Sequence, residues 1–251
     1  MSGPILQITD LEKHFDGVTA TDSVSLDVMA GELHAVIGPN GAGKTTLINQ
    51  LSGVLMPDSG TVVFDGRDIT RIPGFRRTHL GLARSFQITS IFKNFTVRDN
   101  VTLAVQSHAG HSFRFWRPAQ TDPRLVEPAQ ELLERIGLGD RGNVAAGNLA
   151  HGEQRQLEIA MALAGEPKML LLDEPMAGMG GEDSERMVAF LQTLKGKHTL
   201  LLIEHDMDAV FALADRITVL VYGRVIATGT PAEIRGNDEV RQAYLGEDQA
   251  A

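Results

Sequence analysis

Short apolar runs alternate with amphipathic stretches along this chain. Runs of strand length fall at Ile5–Thr9, Val24–Val28, Leu33–Ile37, Thr61–Phe64, Leu82–Phe86, Met169–Leu172, Thr199–Ile203, Ile217–Val221 and Val225–Thr228. The early runs carry hairpin signals: Met29-Ala30-Gly31-Glu32 separates the second from the third, and Asp65-Gly66 follows the fourth. Leu170–Leu172 and Leu200–Ile203 are apolar throughout, the pattern of strands covered by helices on both faces. The middle differs. Val97–Gln106, Arg124–Ile136 and Gly152–Ala164 read as helices; in the second, Leu125, Ala129, Leu132, Leu133 and Ile136 recur at helical spacing. No strand is predicted between Phe86 and Leu170. Residues 88–164 are therefore expected to form an inserted α-helical subdomain, with Gln106–Asp122 a loop or irregular helix. Residues 1–87 and 165–251 would build an α/β core with a mixed sheet and an antiparallel N-terminal β subdomain, all within one domain spanning 1–251.

Composition narrows the class. A chain of 251 residues, 43% hydrophobic, can bury a substantial core. Its net charge of −9 argues against a nucleic-acid partner, whose phosphates would repel it. There is no cysteine, so disulfides and thiol-ligated metals are excluded. Met1–Asp10 lacks a basic region followed by a long apolar stretch, so no signal peptide is expected. No apolar run approaches the roughly 18 residues of a membrane span. A link to a membrane would have to come through a partner.

The first chemistry lies at Gly38-Pro39-Asn40-Gly41-Ala42-Gly43-Lys44-Thr45-Thr46, which fits G-x-x-x-x-G-K-[ST]. The run Leu33–Ile37 before it reads as a buried strand and Thr45–Leu51 after it as the first turns of a helix. A glycine-rich turn with an incidental lysine would not need those flanks; a phosphate-binding loop does. Glycines let successive backbone N–H groups turn inward around phosphate oxygens, and the helix N-terminus adds partial positive charge. Lys44 can then reach the β- and γ-phosphates, and the Thr45 hydroxyl can ligate Mg²⁺.

A second element is Met169-Leu170-Leu171-Leu172-Asp173-Glu174-Pro175, a strand delivering two carboxylates to its C-terminal end. Two solvated acids at a strand end are common. Downstream of a phosphate loop they acquire roles: Asp173 holding Mg²⁺ through water, Glu174 polarising the attacking water as general base. A third is Leu149-Ala150-His151-Gly152-Glu153-Gln154-Arg155, a glycine-bearing turn opening a helix. On physics alone it is either an ordinary cap or a second anion site. With one phosphate loop and two such turns, the second would serve a nucleotide held by another copy or a paralogue, which implies a head-to-tail dimer with ATP at its interface.

These elements resemble the ATP-binding subunit of an ABC transporter. Gly38–Thr46 is similar to Walker A, Leu170–Glu174 to Walker B and Leu149–Gln154 to the signature motif. The resemblance runs from about Ile5 to Gly246. It implies a P-loop NTPase (RecA-like) core. It also implies that Phe15 stacks on adenine, that Gln87 touches Mg²⁺ and the attacking water, and that His205 contacts the γ-phosphate. Alone, Phe15 would read as a hydrophobic staple, Gln87 as a surface amide and His205 as a loop histidine beside Asp206. The metal set implied is Thr45, Gln87 and Asp173; the catalytic set is Glu174, His205 and Gln87; the nucleotide set is Phe15, Gly38–Thr46 and, in trans, Leu149, Ala150, His151, Gly152 and Glu153. Ala83-Arg84-Ser85-Phe86-Gln87, Ile91-Phe92, Thr96–Val101, Leu149–Arg155 and the ending Tyr244-Leu245-Gly246-Glu247 narrow the likeness to branched-chain amino acid (LIV-type) importers, and Ser107–Pro123 resembles the larger of the two ATPase subunits such systems pair. Urea and short-chain amide importers use similar ATPases. The expected partners are a second ATPase subunit, two membrane permeases seated on the helical subdomain and, indirectly, a solute-binding protein, at the cytoplasmic face of the membrane.

Two positions depart from the family pattern. Ala150 stands where a serine hydroxyl commonly meets the opposite γ-phosphate, and Gly180 stands in Gly178-Met179-Gly180-Gly181 where aspartate or asparagine is usual. Ala150 would weaken binding in trans without abolishing it, since Gly152 and the helix N-terminus remain, and Gly180 would make this chain's half-site communicate less firmly across the dimer. Ser112–Arg117 interleaves aromatics with arginines, but in so acidic a chain it reads as a packed loop. Glu182, Asp183 and Glu185 read as the acidic start of a helix. His79, His108 and His111 show no ligand spacing. The competing functions are a lipid exporter's ATPase, a soluble ABC ATPase acting on nucleic acid, and a P-loop kinase or GTPase. The chain has neither tandem cassettes nor long basic linkers, and no Asn-Lys-x-Asp guanine motif.

Overall fold

A computed structural model describes residues 3–85, 91–108 and 121–245. Its strands are β1 (Leu6–Phe15), β2 (Val18–Val28), β3 (Leu33–Ile37), β4 (Ser59–Phe64), β5 (Arg67–Asp68), β6 (Leu82–Arg84), β7 (Met169–Asp173), β8 (Thr199–Ile203), β9 (Arg216–Val221) and β10 (Arg224–Gly229). Its helices are α1 (Lys44–Ser52), α2 (Gly74–His79), α3 (Val97–His108), α4 (Pro123–Arg135), α5 (His151–Leu163), α6 (Gly181–Leu194), α7 (Met207–Leu213), α8 (Pro231–Gly236) and α9 (Asp238–Leu245).

The strands form an antiparallel sheet, β2-β1-β4-β5, and a mixed sheet, β10-β9-β3-β8-β7-β6. In the mixed sheet only the β9–β10 pair is antiparallel. The α/β class and both sheet types are as the sequence predicts. Alternation in the central strands sorts two cores. Leu33, Ala35 and Ile37 pack with residues of α3 to α7, while Val36 packs on the other face with Leu47, Ile48 and Leu51 of α1 and with Leu6 and Ile8 of the antiparallel sheet. Each wholly buried leucine there contributes about 1.5–3 kcal/mol of burial free energy. In α4, Leu125, Ala129, Leu132 and Leu133 are buried as their spacing requires, and Ile136 beyond its end is buried too. Glu182 and Asp183 stand in the first turn of α6.

Three features differ from the sequence expectation. Strands β1 and β2 are far longer than Ile5–Thr9 and Val24–Val28. Their pairing is interrupted by register shifts between Ile8 and Leu11 and between Leu11 and Lys13, with Asp10 at φ 48° and Ser23 at φ 52°. Such bulges place two successive residues outward and break the two-residue period. Next, Met29–Glu32 is a turn, with Gly31 at φ 78°, but not a hairpin. It carries the chain from one sheet to the other, because both edges of β3 are taken by β8 and β9. Asp65-Gly66, with φ 48° and 74°, does close a two-residue hairpin between β4 and β5. Finally, α2 was invisible because its polarity is inverted. Phe75 is exposed and Arg77 is 1% exposed. The Arg77 guanidinium donates to the carbonyls of Gln50 and Leu51, both at 2.7 Å, closing the C-terminal end of α1. Burial pulls its pKa down to about 10. Among the described residues, no helix is long and apolar enough to cross a membrane.

Candidate functional site

Parallel pairing brings three strand ends together. Val36 of β3 is level with Ile203 of β8, and Ile203 with Asp173 of β7. The residues that follow, Gly38–Thr46, Glu174 and Glu204-His205, therefore emerge side by side at the C-terminal edge of the sheet.

The 38–46 loop turns tightly against structure behind it. A Cβ built on Gly38 (φ 156°) would lie 2.1 Å from the Leu220 carbonyl oxygen, and one on Gly43 (φ 102°) would lie 2.2 Å from that of Ala20. The Gly223 N–H, in the β9–β10 turn, donates to the Ala42 carbonyl at 3.0 Å. Gly43 caps α1 without a side chain, and no acidic residue occupies the first turn, so the helix N-terminus faces outward as a favourable seat for an anion. The Lys44 ammonium folds over its own loop, donating to the carbonyls of Gly38 (2.5 Å) and Pro39 (2.9 Å). Thr45 is exposed beside it and Thr46 half-buried. Phe15, 45% exposed, ends β1 opposite Val18; the Ala20 carbonyl that abuts Gly43 lies just beyond on β2.

Asp173 is buried and its Oδ2 accepts from Arg84 Nη2 at 2.9 Å. Arg84 Nη1 donates to Asn49 Oδ1 at 2.7 Å and to Ser52 Oγ at 2.8 Å, both on α1. The bond to Arg84 engages Asp173 through Oδ2. With the Thr45 hydroxyl the carboxylate makes an all-oxygen donor set, which suits a hard cation such as Mg²⁺. Glu174 has φ 46°, a left-handed conformation costly for glutamate. It is held there by its N–H donating to the Ile203 carbonyl at 2.9 Å and by its carbonyl accepting from Ala177 N–H at 3.1 Å. His205, its side chain 62% exposed, sets Nδ1 4.0 Å from Glu174 Oε1. Asp206 caps α7 through Ala209 N–H.

Glu204 is fully buried between these elements. Its Oε1 accepts from Met176 N–H at 2.9 Å and its Oε2 from His205 N–H at 3.0 Å. Burial pushes its carboxyl above the usual range, opposed by those N–H groups. Sequence reading passed over both Arg84 and Glu204. The available signal was a lone charge in or directly after an apolar run, which has to find partners when it is buried.

The Leu149–Glu153 turn sits elsewhere on the surface. Ala150 is the N-cap of α5 and brings no side-chain acceptor; Glu153 Oε2 accepts the Ala150 N–H at 2.9 Å. A Cβ on Gly152 would meet Asp183 of α6 at 3.5 Å. Within one chain this turn packs on α6, whereas the 38–46 loop packs on β2 and the β9–β10 turn. Gly180 is the N-cap of α6, again without a side-chain bond. Gln87 and Ser112–Arg117 lie outside the described residues, as does the chain beyond Leu245.

Comparisons with known proteins show the family. The family described as ABC transporter matches residues 21–177, and that described as branched-chain amino acid ATP-binding cassette transporter matches residues 224–250. The chain is 39% identical to the high-affinity branched-chain amino acid transport ATP-binding protein BraF of Pseudomonas aeruginosa, over 98% of this chain and 100% of that one. It is 38% identical to its counterpart LivG of Escherichia coli, with the same coverage. Among solved structures it resembles the ADP conformation of an ATP-binding cassette of an ABC transporter, with a TM-score of 0.86, 32% identity and coverage of 98% and 100%. A nucleotide-free cassette gives a TM-score of 0.84 at 31% identity, covering 96% of this chain and 98% of that one.

Proposed function

This chain belongs to the ABC transporter family of ATP-binding cassettes, and on that premise we propose that it is the ATP-hydrolysing motor of an importer for branched-chain amino acids or related small polar solutes. The observation that supports it best is the meeting, at one sheet edge, of the phosphate loop, the buried Asp173 and the Glu174–His205 pair. Backbone N–H groups of Gly38–Thr46 wrap the phosphates of ATP, and Lys44 exchanges the Gly38 and Pro39 carbonyls for β- and γ-phosphate oxygens. Phe15 stacks on adenine. Thr45, Asp173 and Gln87 would hold Mg²⁺, which when bound would supply positive charge against the phosphates. Glu174 takes a proton from the attacking water and His205 donates to a γ-phosphate oxygen. The Leu149, Ala150, His151, Gly152 and Glu153 turn of a second ATPase subunit, identical or paralogous, covers the nucleotide from the other side. ATP drives the cycle because it binds the closed pair better than the open one.

The force leaves through residues 88–164 and a groove beside them. A cavity of about 660 Å³ between α2, β6, α3 and α5 is lined by Val54, Phe75, Leu82, Phe92 and Leu103. Phe75 and Phe92 on its rim are 68% and 54% exposed, an apolar patch suited to an amphipathic cytoplasmic helix of a permease. The subunit then works peripherally at the cytoplasmic face, with a solute-binding protein acting through the permeases.

Reconstitution tests this reading. Proteoliposomes holding the chain, its permeases and their binding protein are expected to take up labelled leucine, isoleucine or valine only with MgATP. Uptake of urea or a short amide instead would replace the cargo. Co-purification with ribosomes rather than permeases would overturn the motor role.

A further inference from the structure

We propose that Arg84 is a positioning residue that selects which oxygen of Asp173 is presented to the metal and locks that oxygen to helix α1. The guanidinium spans two elements at once. Nη2 donates to Asp173 Oδ2 at 2.9 Å, and Nη1 donates to Asn49 Oδ1 at 2.7 Å and Ser52 Oγ at 2.8 Å. The side chains of Arg84 and Asp173 are only 10% and 3% exposed, so the pair is desolvated and its geometry is not averaged by water. Asn49 and Ser52 are three residues apart on α1, hence on one face. The same helix begins with Lys44 and Thr45. A rigid planar fork thus fixes the separation between the Thr45 hydroxyl, at the start of α1, and the Asp173 carboxylate, at the end of β7. With Oδ2 held by Arg84, Oδ1 is the oxygen that would be turned to the metal side, directly or through water. A lysine would supply charge but not the fork, because a single ammonium cannot meet three acceptors in that plane.

This rests on Asp173 facing Mg²⁺, and the test separates the two ideas. Three proteins are compared with the parent: Arg84→Lys, the double variant Asn49→Ala with Ser52→Ala, and Asp173→Asn. Thermal melting establishes that each is folded. ATP affinity is measured in EDTA and then over a Mg²⁺ titration, and Mn²⁺ binding to the ATP complex is followed by electron paramagnetic resonance. The double variant leaves the Arg84–Asp173 charge pair intact, so it remains informative should Arg84→Lys fail to fold. The proposal expects metal-free ATP affinity within twofold of the parent in Arg84→Lys and the double variant. It expects the Mg²⁺ concentration for half-saturation to rise about tenfold, as for other groups that orient a metal ligand, with a changed Mn²⁺ spectrum. An unmoved Mg²⁺ requirement in both, alongside a large rise in Asp173→Asn, overturns the role of Arg84. An unmoved requirement in Asp173→Asn overturns the metal assignment and the proposal with it.

Discussion

Glu174 Oε1 and His205 Nδ1 stand 4.0 Å apart, on loops that leave neighbouring parallel strands. At that spacing the two side chains are close enough to act on the same reacting group. Glu174→Gln keeps the shape and removes the base. Turnover is expected to fall roughly 10²–10⁴-fold while MgATP still binds and an ATP-bound dimer accumulates, read by phosphate release and light scattering. Unchanged turnover would remove Glu174 from the base role.

Glu204 ties the two loops together because both its oxygens accept backbone N–H groups, one from Met176 and one from His205. An amide has one acceptor oxygen and one donor nitrogen, so Glu204→Gln must leave one of those N–H groups facing another donor. Losing about 1.4 kcal/mol of alignment would lower turnover about tenfold. ATP affinity should stay within twofold. A parent-like kcat would show that the loops hold their spacing without it.

Two glycines of the nucleotide loop make an internal comparison. Gly41 (φ 78°) has open space where a Cβ would go, whereas Gly43 has the Ala20 carbonyl 2.2 Å away. Gly41→Ala should cost only backbone strain, about 1–2 kcal/mol. Gly43→Ala adds a clash that moves β2 or the loop, and should lose ATP affinity at least tenfold more than Gly41→Ala. Equal losses by calorimetry would show that the loop yields without harm.

Ala150 and Gly180 both prove to be helix N-caps, of α5 and α6. Ala150→Ser restores an acceptor for orphan N–H groups and should stabilise the fold by about 1 kcal/mol; Gly180→Asp should give a few tenths. In a chain of this size about 1 kcal/mol is a melting shift of about 2–4 °C. If Ala150→Ser left the melting temperature unchanged, the missing hydroxyl would matter only to a partner's nucleotide. Gly180→Asp also tests the half-site idea through ATPase rate.

Beneath the loop, Glu32 Oε1 accepts from His34 Nδ1 at 3.0 Å and its Oε2 from Met29 N–H at 2.6 Å. Burial pushes its carboxyl up, but these bonds and the charges of His34 and Arg216 outweigh that and hold it below the usual range. A depressed folded-state pKa stabilises above the unfolded value and is lost as pH falls through the folded one. Glu32→Gln should therefore cost about 1–3 kcal/mol at neutral pH, and progressively less as pH drops below about 4.3. Urea melts at several pH values would show it; a penalty independent of pH would mean that only shape was lost.

Much of this was readable from residues alone. Leu33–Ile37, Met169–Asp173 and Thr199–Ile203 are apolar because helices or a second sheet cover both faces, and each run ends at its chemistry. The loop Gly38–Thr46 was legible because phosphate binding leaves so few residue types. What escaped was whatever depends on contacts between distant segments. Arg84 is a lone cation in a strand until Asp173, Asn49 and Ser52 surround it. Arg77 points inward from a helix whose phenylalanine points out. The Met29–Glu32 turn looks like a hairpin locally, and only the pairing of β3 with β8 and β9 decides otherwise.

The β9–β10 turn braces the nucleotide loop from behind, with the Leu220 carbonyl against Gly38 and the Gly223 N–H on Ala42. A ribosome delivers that brace long after the loop itself. Until then only β2 backs the loop, at Gly43, so a nascent chain that has already built β3 and α1 should grip ATP poorly. Competence for the nucleotide thereby becomes a checkpoint on having made β9 and β10.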